Sequence, residues 1–184
     1  AQITDVPADE LSSKINAIDD FFTIGSVDFD DALAEGRVEH IDYGHYENYQ
    51  QKVKDLHGQI PESDLKVVFS SLHGTALPLT QYLLEALGFN NLTLVDKECE
   101  ADSDFTHVTS ANPEDTDAFT GARAIGEDKN ADLLIATDPD ADRIGIEVLH
   151  DGEYVHLNGN QLGAILLYNR LKNTEFEKTP VVVK

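Results

Sequence analysis

Three aspartates stand at alternate positions in one short segment, Thr137-Asp138-Pro139-Asp140-Ala141-Asp142-Arg143. Apolar residues dominate the stretches on both sides of it, residues 131–136 before and residues 144–149 after. Both stretches are typical of β-strands, so the segment is predicted to be an acidic loop between two strands. The second strand follows too closely for a crossover helix, and we therefore predict that it runs antiparallel to the first.

Strand and helix patterns alternate in the middle of the chain. Runs of strand-forming residues occupy 65–70, 92–96 and 131–136. Helices are predicted between them, one over 78–87 and one opened by residues 112–115, where Asn112 would cap and Pro113 would take the first position. This alternation is typical of parallel strands with helices on both faces. The sequence predicts the α/β class, as a three-layer α/β/α domain with a mixed, mainly parallel sheet.

Further elements are predicted on either side of this middle part. Apolar residues at helical spacing predict an amphipathic helix over residues 9–22 and a second helix from Tyr46 to Pro61. Asp151-Gly152 is a turn signal, so residues 153–157 are predicted to return as the second strand of a hairpin. A last helix is predicted to start at Asn158-Gly159-Asn160.

These patterns predict that the chain consists of one domain and two flanking segments. Residues 42–151 are predicted to be one domain, residues 1–41 the tail of a preceding domain or a linker, and residues 152–184 the start of a following domain. The chain contains no methionine and ends in a strand-like run, Val181-Val182-Val183-Lys184. We therefore expect it to be a piece of a longer polypeptide.

Charge and composition limit the classes of partner. The formal net charge is -22, which argues against nucleic acid and against an anionic membrane surface, since both are bound by Lys and Arg. Apolar runs stay well short of the ~20 residues of a membrane helix, and the N-terminus lacks a signal-peptide pattern. Cys99 is the single cysteine and cannot form an internal disulfide. We expect a cytoplasmic protein with neither nucleic acid nor membrane as partner.

The acidic loop is either a cation site or a solvated run of acids of the kind that a chain this acidic contains. As a site, its oxygen ligands would select a hard ion such as Mg²⁺, Mn²⁺ or Ca²⁺. A calcium-binding helix-loop-helix hand is excluded, because it needs Gly at position 6 and Glu at position 12, where this loop has Arg143 and Leu149. Three carboxylates leave room for phosphate oxygens on Mg²⁺, and Arg143 suits a phosphate, so the combination suggests phosphoryl transfer.

Four segments in order resemble the α-D-phosphohexomutases, the phosphoglucomutase and phosphomannomutase family. The acidic loop resembles their metal-binding loop, and the resemblance covers roughly residues 65–167, while residues 1–60 match loosely. The other three segments resemble the family's Pro-Leu-His-Gly-Thr, Asn-Pro-Glu and Gly-Asn-Gln-Leu-Gly-Ala motifs; they are Ser71-Leu72-His73-Gly74-Thr75, Asn112-Pro113-Glu114 and Gly159-Asn160-Gln161-Leu162-Gly163-Ala164.

The resemblance implies a four-domain enzyme, of which residues 42–151 are the second domain and residues 152–184 the start of the third. In the family, a phosphoserine of the first domain transfers its phosphate to the sugar phosphate. The bisphosphate turns around and returns the other phosphate, which moves phosphate between O1 and O6. In the family, Mg²⁺ is held by three loop aspartates and one oxygen of the phosphoserine. By resemblance, Asp138, Asp140 and Asp142 are the Mg²⁺ ligands of this chain, and Arg143 contacts the phosphoserine region.

A phosphoserine loop of the Ser-His-Asn-Pro type does not occur in the 184 residues. We therefore expect the chain alone to be inactive and to bind Mg²⁺ weakly or not at all. The alternative is a non-catalytic divalent-cation-binding or interaction module that kept the loop and lost the chemistry. Glucose, mannose and pentose phosphate stay open as substrates, with the spacing around Thr75 and Asn112 favouring the phosphoglucomutase branch that includes phosphopentomutase-like members.

His73 is the histidine best placed for function, because it follows a predicted strand, where α/β proteins bind ligands. It either lines the site or shapes its loop through a backbone hydrogen bond. Cys99 lies among acids and is not expected to be reactive, and Asn160 and Gln161 are interpreted as helix-start residues. The other histidines show no metal-ligand spacing and are interpreted as ordinary surface or hairpin positions: His40, His45, His57, His107, His150 and His156.

Overall fold

The computed structural model describes residues 3–57 and 63–183. The chain falls into two compact units, Ala1–Tyr43 and Gly44–Lys184, each described here by itself. Within the described residues the helices are α1 (Asp5–Asn16), α2 (Phe29–Ala34), α3 (Tyr43–His57), α4 (Leu77–Ala86), α5 (Asp96–Cys99), α6 (Thr120–Lys129) and α7 (Gly159–Asn173). The strands are β1 (Ser63–Ser70), β2 (Phe89–Leu94), β3 (Leu133–Thr137), β4 (Ile144–His150) and β5 (Glu153–Leu157).

The five strands form one sheet in the order β2-β1-β3-β4-β5. β1 pairs in parallel with both β2 and β3, whereas β3, β4 and β5 form an antiparallel meander. Phe69 of β1 lies opposite Ile135 of β3, and Ala136 of β3 lies opposite Gly145 of β4. The predicted α/β class with a mixed sheet is confirmed, and so is the antiparallel strand that follows the acidic loop.

Alternation along β1 separates two apolar clusters, one on each face of the sheet. Val68 packs in a cluster with Phe119 and with Ala122 of α6. Its neighbours Val67 and Phe69 point the other way, into a cluster against which Leu77 of α4 packs. Because successive side chains of a strand face opposite sides, helices are held on both faces. The result is the predicted arrangement of three layers.

The sheet brings two loops to the same edge. β1 and β3 are parallel neighbours that end at Ser70 and Thr137, so their following loops lie side by side. The backbone N–H of Thr75, in the loop after β1, donates to the carbonyl of Pro139, in the loop after β3, at 3.0 Å. Ligands of α/β proteins bind at such carboxyl ends of parallel strands. The fold therefore places the acidic loop where a site is expected.

The helix predicted to open at residues 112–115 begins later. A 3-10 turn spans Thr116–Phe119, and α6 starts only at Thr120. Asn112 does not cap a helix, because its side-chain oxygen accepts from the N–H of Glu114 within a tight turn. Pro113 is fully buried instead of standing at a helix start. The prediction was wrong because these residues pack against the sheet instead of starting a helix.

The single helix predicted over residues 9–22 is also wrong in its extent. α1 ends at Asn16, and a 3-10 turn capped by the Asp20 side chain covers Phe21–Thr23. Phe22 is fully exposed, and Ala32 is the one buried residue among residues 3–43. The apolar stripe is present in the sequence, but in the described residues of this unit it covers no core.

The hairpin and the last helix follow the sequence signals. Asp151 and Gly152 form the turn with positive φ angles of 50° and 87°. Asn158 caps α7, and the Gln161 side chain accepts from the Asn158 N–H, which completes a capping box. β5 pairs with β4 and extends the same sheet. The predicted domain boundaries at 41 and 151 stay predictions.

Two further points concern the helices. None of those described is both long and apolar enough to cross a membrane. The helix predicted from Tyr46 is present as the later part of α3, which ends at His57. Its predicted last residues, Ile60 and Pro61, lie outside the described residues.

Candidate metal centre

The acidic loop gathers its three carboxylates. One side-chain oxygen from each of Asp138, Asp140 and Asp142 lies within 4.8 Å of the others. Asp138 is buried, with 1% of its side chain exposed, whereas the other two aspartates are exposed. Ala141 adopts a left-handed φ of 61°, and its N–H donates to the Asp138 carbonyl at 3.0 Å. This tight turn is what brings alternate side chains to one centre.

Arg143 holds Asp138 at both carboxylate oxygens. The backbone N–H of Arg143 donates to Oδ1 at 2.9 Å, and its Nε donates to Oδ2 at 2.8 Å. Half of the Arg143 side chain is exposed, and its Nε lies 3.7 Å from Asp142 Oδ1. One guanidinium thus faces a cluster of three carboxylates, which leaves the cluster with excess negative charge.

The pKa values of the aspartates reflect this imbalance. Burial by itself would raise the pKa of Asp138, but the hydrogen bonds from the backbone and side chain of Arg143 outweigh it and hold the pKa below its ordinary value. The pKa of Asp142 is raised, first by its hydrogen bond with Asp138 and then by the charge of Asp140. Crowded carboxylates that resist ionisation are stabilised by a cation among them.

Asn112 and Pro113 brace the arginine from the neighbouring segment. The Asn112 side-chain oxygen accepts from Arg143 Nη1 at 3.1 Å. Next to it, Pro113 lies so close to β4 that a Cβ on Gly145 would stand 2.1 Å from the Pro113 carbonyl oxygen. Glycine is therefore required at this position of β4. The Asn-Pro-Glu segment thus fixes the direction of the Arg143 side chain.

The loop after β1 clamps the acidic loop from the other side. A Cβ on Gly74 would stand 2.4 Å from Pro139 Cα, so the two backbones meet at a distance that only glycine permits. Thr75 donates to the Pro139 carbonyl through its N–H at 3.0 Å and its hydroxyl at 3.2 Å. The start of the acidic loop is therefore positioned by residues of the loop after β1.

His73 is not among the residues gathered around the three aspartates. Its Nδ1 lies 2.7 Å from the Glu100 carbonyl, and its Nε2 accepts from the backbone N–H of His107 at 3.2 Å. In this arrangement Nδ1 acts as the donor and Nε2 as the acceptor. In the described structure, His73 connects two loops, as the loop-shaping interpretation of the sequence predicts. It groups with Asp102 and His107.

The donor set fits a hard divalent cation. Three carboxylates supply only oxygen ligands, which Mg²⁺ and Ca²⁺ prefer over softer donors. Two negative charges remain after the guanidinium of Arg143 is counted, and the hydrogen bond with Asp138 and the charge of Asp140 raise the pKa of Asp142. The predicted ligands Asp138, Asp140 and Asp142 therefore form a possible metal-binding group.

Sequence reasoning missed one buried acid behind the loop that follows β1. Glu98 is 4% exposed, and its carboxylate accepts from the Ser70 hydroxyl at 2.6 Å. Burial raises the pKa of Glu98, against the opposing effects of the Ser70 hydrogen bond and the two nearby histidines. Its carbonyl accepts from the His73 N–H at 2.6 Å. Glu98 sits in an acidic run on α5, so its sequence context gives no signal of burial.

Cys99 agrees with its interpretation as unreactive. Burial raises the pKa of its thiol, and the charge of Glu98 adds to the effect. A thiol held protonated is a poor nucleophile. Cys99 packs against the cluster around Phe69, where it behaves as a small apolar residue.

Comparison with known proteins gives a consistent picture. A family model described as "Phosphoglucomutase/phosphomannomutase, alpha/beta/alpha domain II" matches residues 46–151. A phosphoglucomutase of Staphylococcus epidermidis is 54% identical over 130 residues, which are 70% of this chain and 24% of the relative. A phosphoglucomutase of Staphylococcus aureus is 49% identical over 129 residues, which are 70% of this chain and 23% of the relative. The chain thus spans about a quarter of the length of these curated relatives.

The fold also resembles a solved structure. A phosphoglucomutase/phosphomannomutase family protein from Burkholderia thailandensis superposes with a TM-score of 0.50 at 23% identity, over 68% of this chain and 27% of that one. This likeness concerns the fold alone. The family match covers more than half of the chain, including the acidic loop and the loop that clamps it. The chain therefore belongs to the phosphoglucomutase/phosphomannomutase family, as its motifs predict, and its residues 46–151 match the α/β/α domain II of that family.

Proposed function

We propose that this chain is the metal-binding domain of a phosphoglucomutase, an isomerase that moves phosphate between O1 and O6 of a hexose phosphate. The observation that carries the proposal is the gathering of three aspartate oxygens within 4.8 Å in a loop braced by Arg143. The names of the Staphylococcus relatives support glucose phosphate as the substrate. Mannose phosphate and pentose phosphate are the alternatives.

In this proposal Asp138, Asp140 and Asp142 would hold one Mg²⁺. When bound, Mg²⁺ supplies positive charge next to a phosphoryl group in transfer, where catalysis depends on positioning and charge neutralisation. Arg143 keeps Asp138 ionised and oriented through two hydrogen bonds. Its half-exposed guanidinium is proposed to contact the phosphoserine, since a guanidinium suits phosphate oxygens.

The remaining groups of the reaction are assigned to other domains of the same polypeptide. A phosphoserine is proposed to give its phosphate to the sugar phosphate and to take the other phosphate back from the bisphosphate. By itself the 184-residue chain is then inactive, because it contains no Ser-His-Asn-Pro-type loop. Within this domain His73 is assigned to positioning: it precedes Gly74 and Thr75, which contact Pro139.

The proposal is tested in the full-length protein with a conservative change of one ligand. Asp140→Asn keeps the size of the side chain and removes a charge from the cluster. It should lower turnover of glucose 1-phosphate at least about a hundredfold, since removing charge stabilisation from a transition state costs several kcal/mol. Asp151→Asn is the matched control, because Asp151 is 92% exposed in the hairpin turn.

The outcomes separate the mutase from a non-catalytic cation-binding or interaction module. Loss of turnover in Asp140→Asn with normal turnover in Asp151→Asn supports the mutase. Normal turnover in Asp140→Asn removes this residue from the ligand set. A full-length wild-type protein that binds Mg²⁺ but turns over no sugar phosphate supports the module.

A further inference from the structure

A second group of metal-ligating side chains lies apart from the three aspartates. One ligand atom from each of His73, Asp102 and His107 lies within 4.8 Å of the others. His73 stands in the loop after β1, while the other two residues belong to the long loop that follows α5. Two imidazoles and a carboxylate form a donor set quite different from the oxygen-only set of the acidic loop. Nothing in the proposed mutase chemistry uses these three residues together.

His73 is oriented as metal-binding histidines are. Its Nδ1 donates to the Glu100 carbonyl at 2.7 Å, which leaves the lone pair on Nε2 for a ligand. Histidines that bind metals generally donate the second ring N–H to a carbonyl or carboxylate in this way. Nε2 accepts from the His107 backbone N–H at 3.2 Å. An ion on Nε2 would replace this contact.

Asp102 and His107 complete the group from one turn of the long loop. The two carboxylate oxygens of Asp102 accept from the N–H groups of Asp104 and Thr106, each at 2.9 Å, so the carboxylate is fixed and keeps further lone pairs. The His107 ring lies 5.4 Å from the His73 ring, with an angle of 42° between the planes. His107 is exposed, so its ring can rotate towards an ion and leave one position open to water.

We propose that His73, Asp102 and His107 form a binding site for a transition-metal ion of the Zn²⁺ class, with water as the fourth ligand. Nitrogen ligands favour Zn²⁺ over Mg²⁺, and two histidines with one carboxylate are an established Zn²⁺ donor set. Zn–N bonds of about 2.0–2.1 Å bring the ligand atoms of one ion well within the 4.8 Å over which these three lie, and the exposed His107 ring has room to adjust to an ion. The nearby buried side chain of Glu98 adds an acidic group beside the two histidines.

An ion at this site would link the long loop after α5 to the loop after β1, which contacts the acidic loop. His73 is followed by Gly74 and Thr75, whose backbones contact Pro139. Zn²⁺ would join this segment to Asp102 and His107 and restrict opening of both loops. The site is thus suited to regulation of the acidic loop by a second metal, although its existence does not depend on the proposed mutase activity.

The test is a Zn²⁺ titration of the tag-free 184-residue chain by calorimetry in excess Mg²⁺, with the absorption of bound Co²⁺ as a spectroscopic check on nitrogen ligation. We expect one Zn²⁺ per chain. His107→Ala should weaken binding at least about tenfold, because loss of an outer-shell partner alone commonly costs that much and His107 is proposed as a direct ligand. Because His107 is exposed, this variant is expected to fold. Asp102→Asn is the second variant, and His150→Ala is the matched control in the hairpin.

A third variant distinguishes Zn²⁺ binding at this site from Zn²⁺ binding at the acidic loop. Asp140→Asn should leave Zn²⁺ affinity unchanged, and wild-type protein should show slower amide hydrogen exchange at residues 102–107 when Zn²⁺ is added. Equal Zn²⁺ affinity in wild type, His107→Ala and Asp102→Asn would overturn the proposal. So would loss of Zn²⁺ binding in Asp140→Asn, which would assign the ion to the acidic loop.

Discussion

The loops after β1 and β3 lie side by side but differ in how their polar and charged groups are paired. Polar groups at the end of β1 and in the loop after it pair with groups of α5 and of the long loop that follows α5: Ser70 with Glu98, and His73 with Glu100 and His107. In the loop after β3, three carboxylates crowd together with only Arg143 to balance them. The polar groups of the first loop are paired by protein contacts, one of which, at His73 Nε2, the proposed Zn²⁺ would replace. The second loop has charge left over for a ligand.

Under the proposed function, this difference gives the loop after β1 a positioning role and the acidic loop a cation-binding role. The two are joined where Gly74 and Thr75 meet Pro139. A site is more precise when its ligands are held by rigid neighbours, and the buried contacts around His73 supply that rigidity. Changes in the loop after β1 should therefore act mainly on stability, and changes in the acidic loop mainly on cation binding.

The largest effect on stability is expected from Gly74→Ala. The added Cβ would stand 2.4 Å from Pro139 Cα and 2.8 Å from the Ser71 carbonyl oxygen, so backbone atoms must move. We expect a loss of about 1–3 kcal/mol in the free energy of unfolding, measured by chemical denaturation. Gly163→Ala is the control, since no atom lies within 4 Å of its Cβ, and it should stabilise α7 by roughly 0.5–1 kcal/mol. Equal stability of the two variants would mean that the loops are not clamped together.

A smaller effect is expected from Arg143→Lys, which keeps the charge and loses the fork to Asp138 and Asn112. The loss in the free energy of unfolding at neutral pH should be smaller than that of Gly74→Ala, because solvent screens the half-exposed side chain. The wild-type pKa of Asp138 is lowered, so its contribution is present above the ordinary Asp pKa and is lost as pH falls through the folded-state value. The deficit of the variant should therefore shrink below about pH 4. If the difference in stability between Arg143→Lys and wild type does not change with pH, Arg143 does not stabilise the ionised form of Asp138.

The smallest effect is expected from Glu98→Gln, which keeps the shape of the side chain and the acceptor for Ser70. Burial raises the pKa of Glu98, so the protonated form favours folding below the ordinary Glu pKa, and this contribution is lost as pH rises through the folded-state value. Relative to wild type, the variant should gain stability by under about 1 kcal/mol between pH 4 and 7. Denaturation midpoints across that range measure the difference, and a relative loss with rising pH would contradict the assignment.

Elements with a local signal were predictable from the sequence. The strands that end at Ser70 and Thr137 follow from runs of β-forming residues, and the capping box at Asn158 and Gln161 follows from helix-start chemistry. The acidic loop is equally local, because its ligands and its turn lie within six consecutive residues, Asp138 to Arg143. Local patterns of this kind decide structure before tertiary packing intervenes.

Features that depend on distant contacts were not predictable. Asn112 and Pro113 have a standard helix-start pattern. However, Asn112 accepts a hydrogen bond from Arg143 and Pro113 packs against Gly145 of β4, so α6 begins later, at Thr120. His107 shows no ligand spacing in the sequence, and only folding brings it to His73. A single sequence contains no information on such pairings until the strand order is known.

The central claim is that the acidic loop is a divalent-cation site left incomplete without a phosphoserine oxygen. Titration of Mg²⁺ into the 184-residue chain, followed by calorimetry, tests it most directly. We predict weak binding that is not saturated at stoichiometric Mg²⁺ and that is further weakened by Asp140→Asn but unchanged by Asp151→Asn. Tight one-to-one binding by the chain alone would contradict the account, as would weak binding that is the same in both variants.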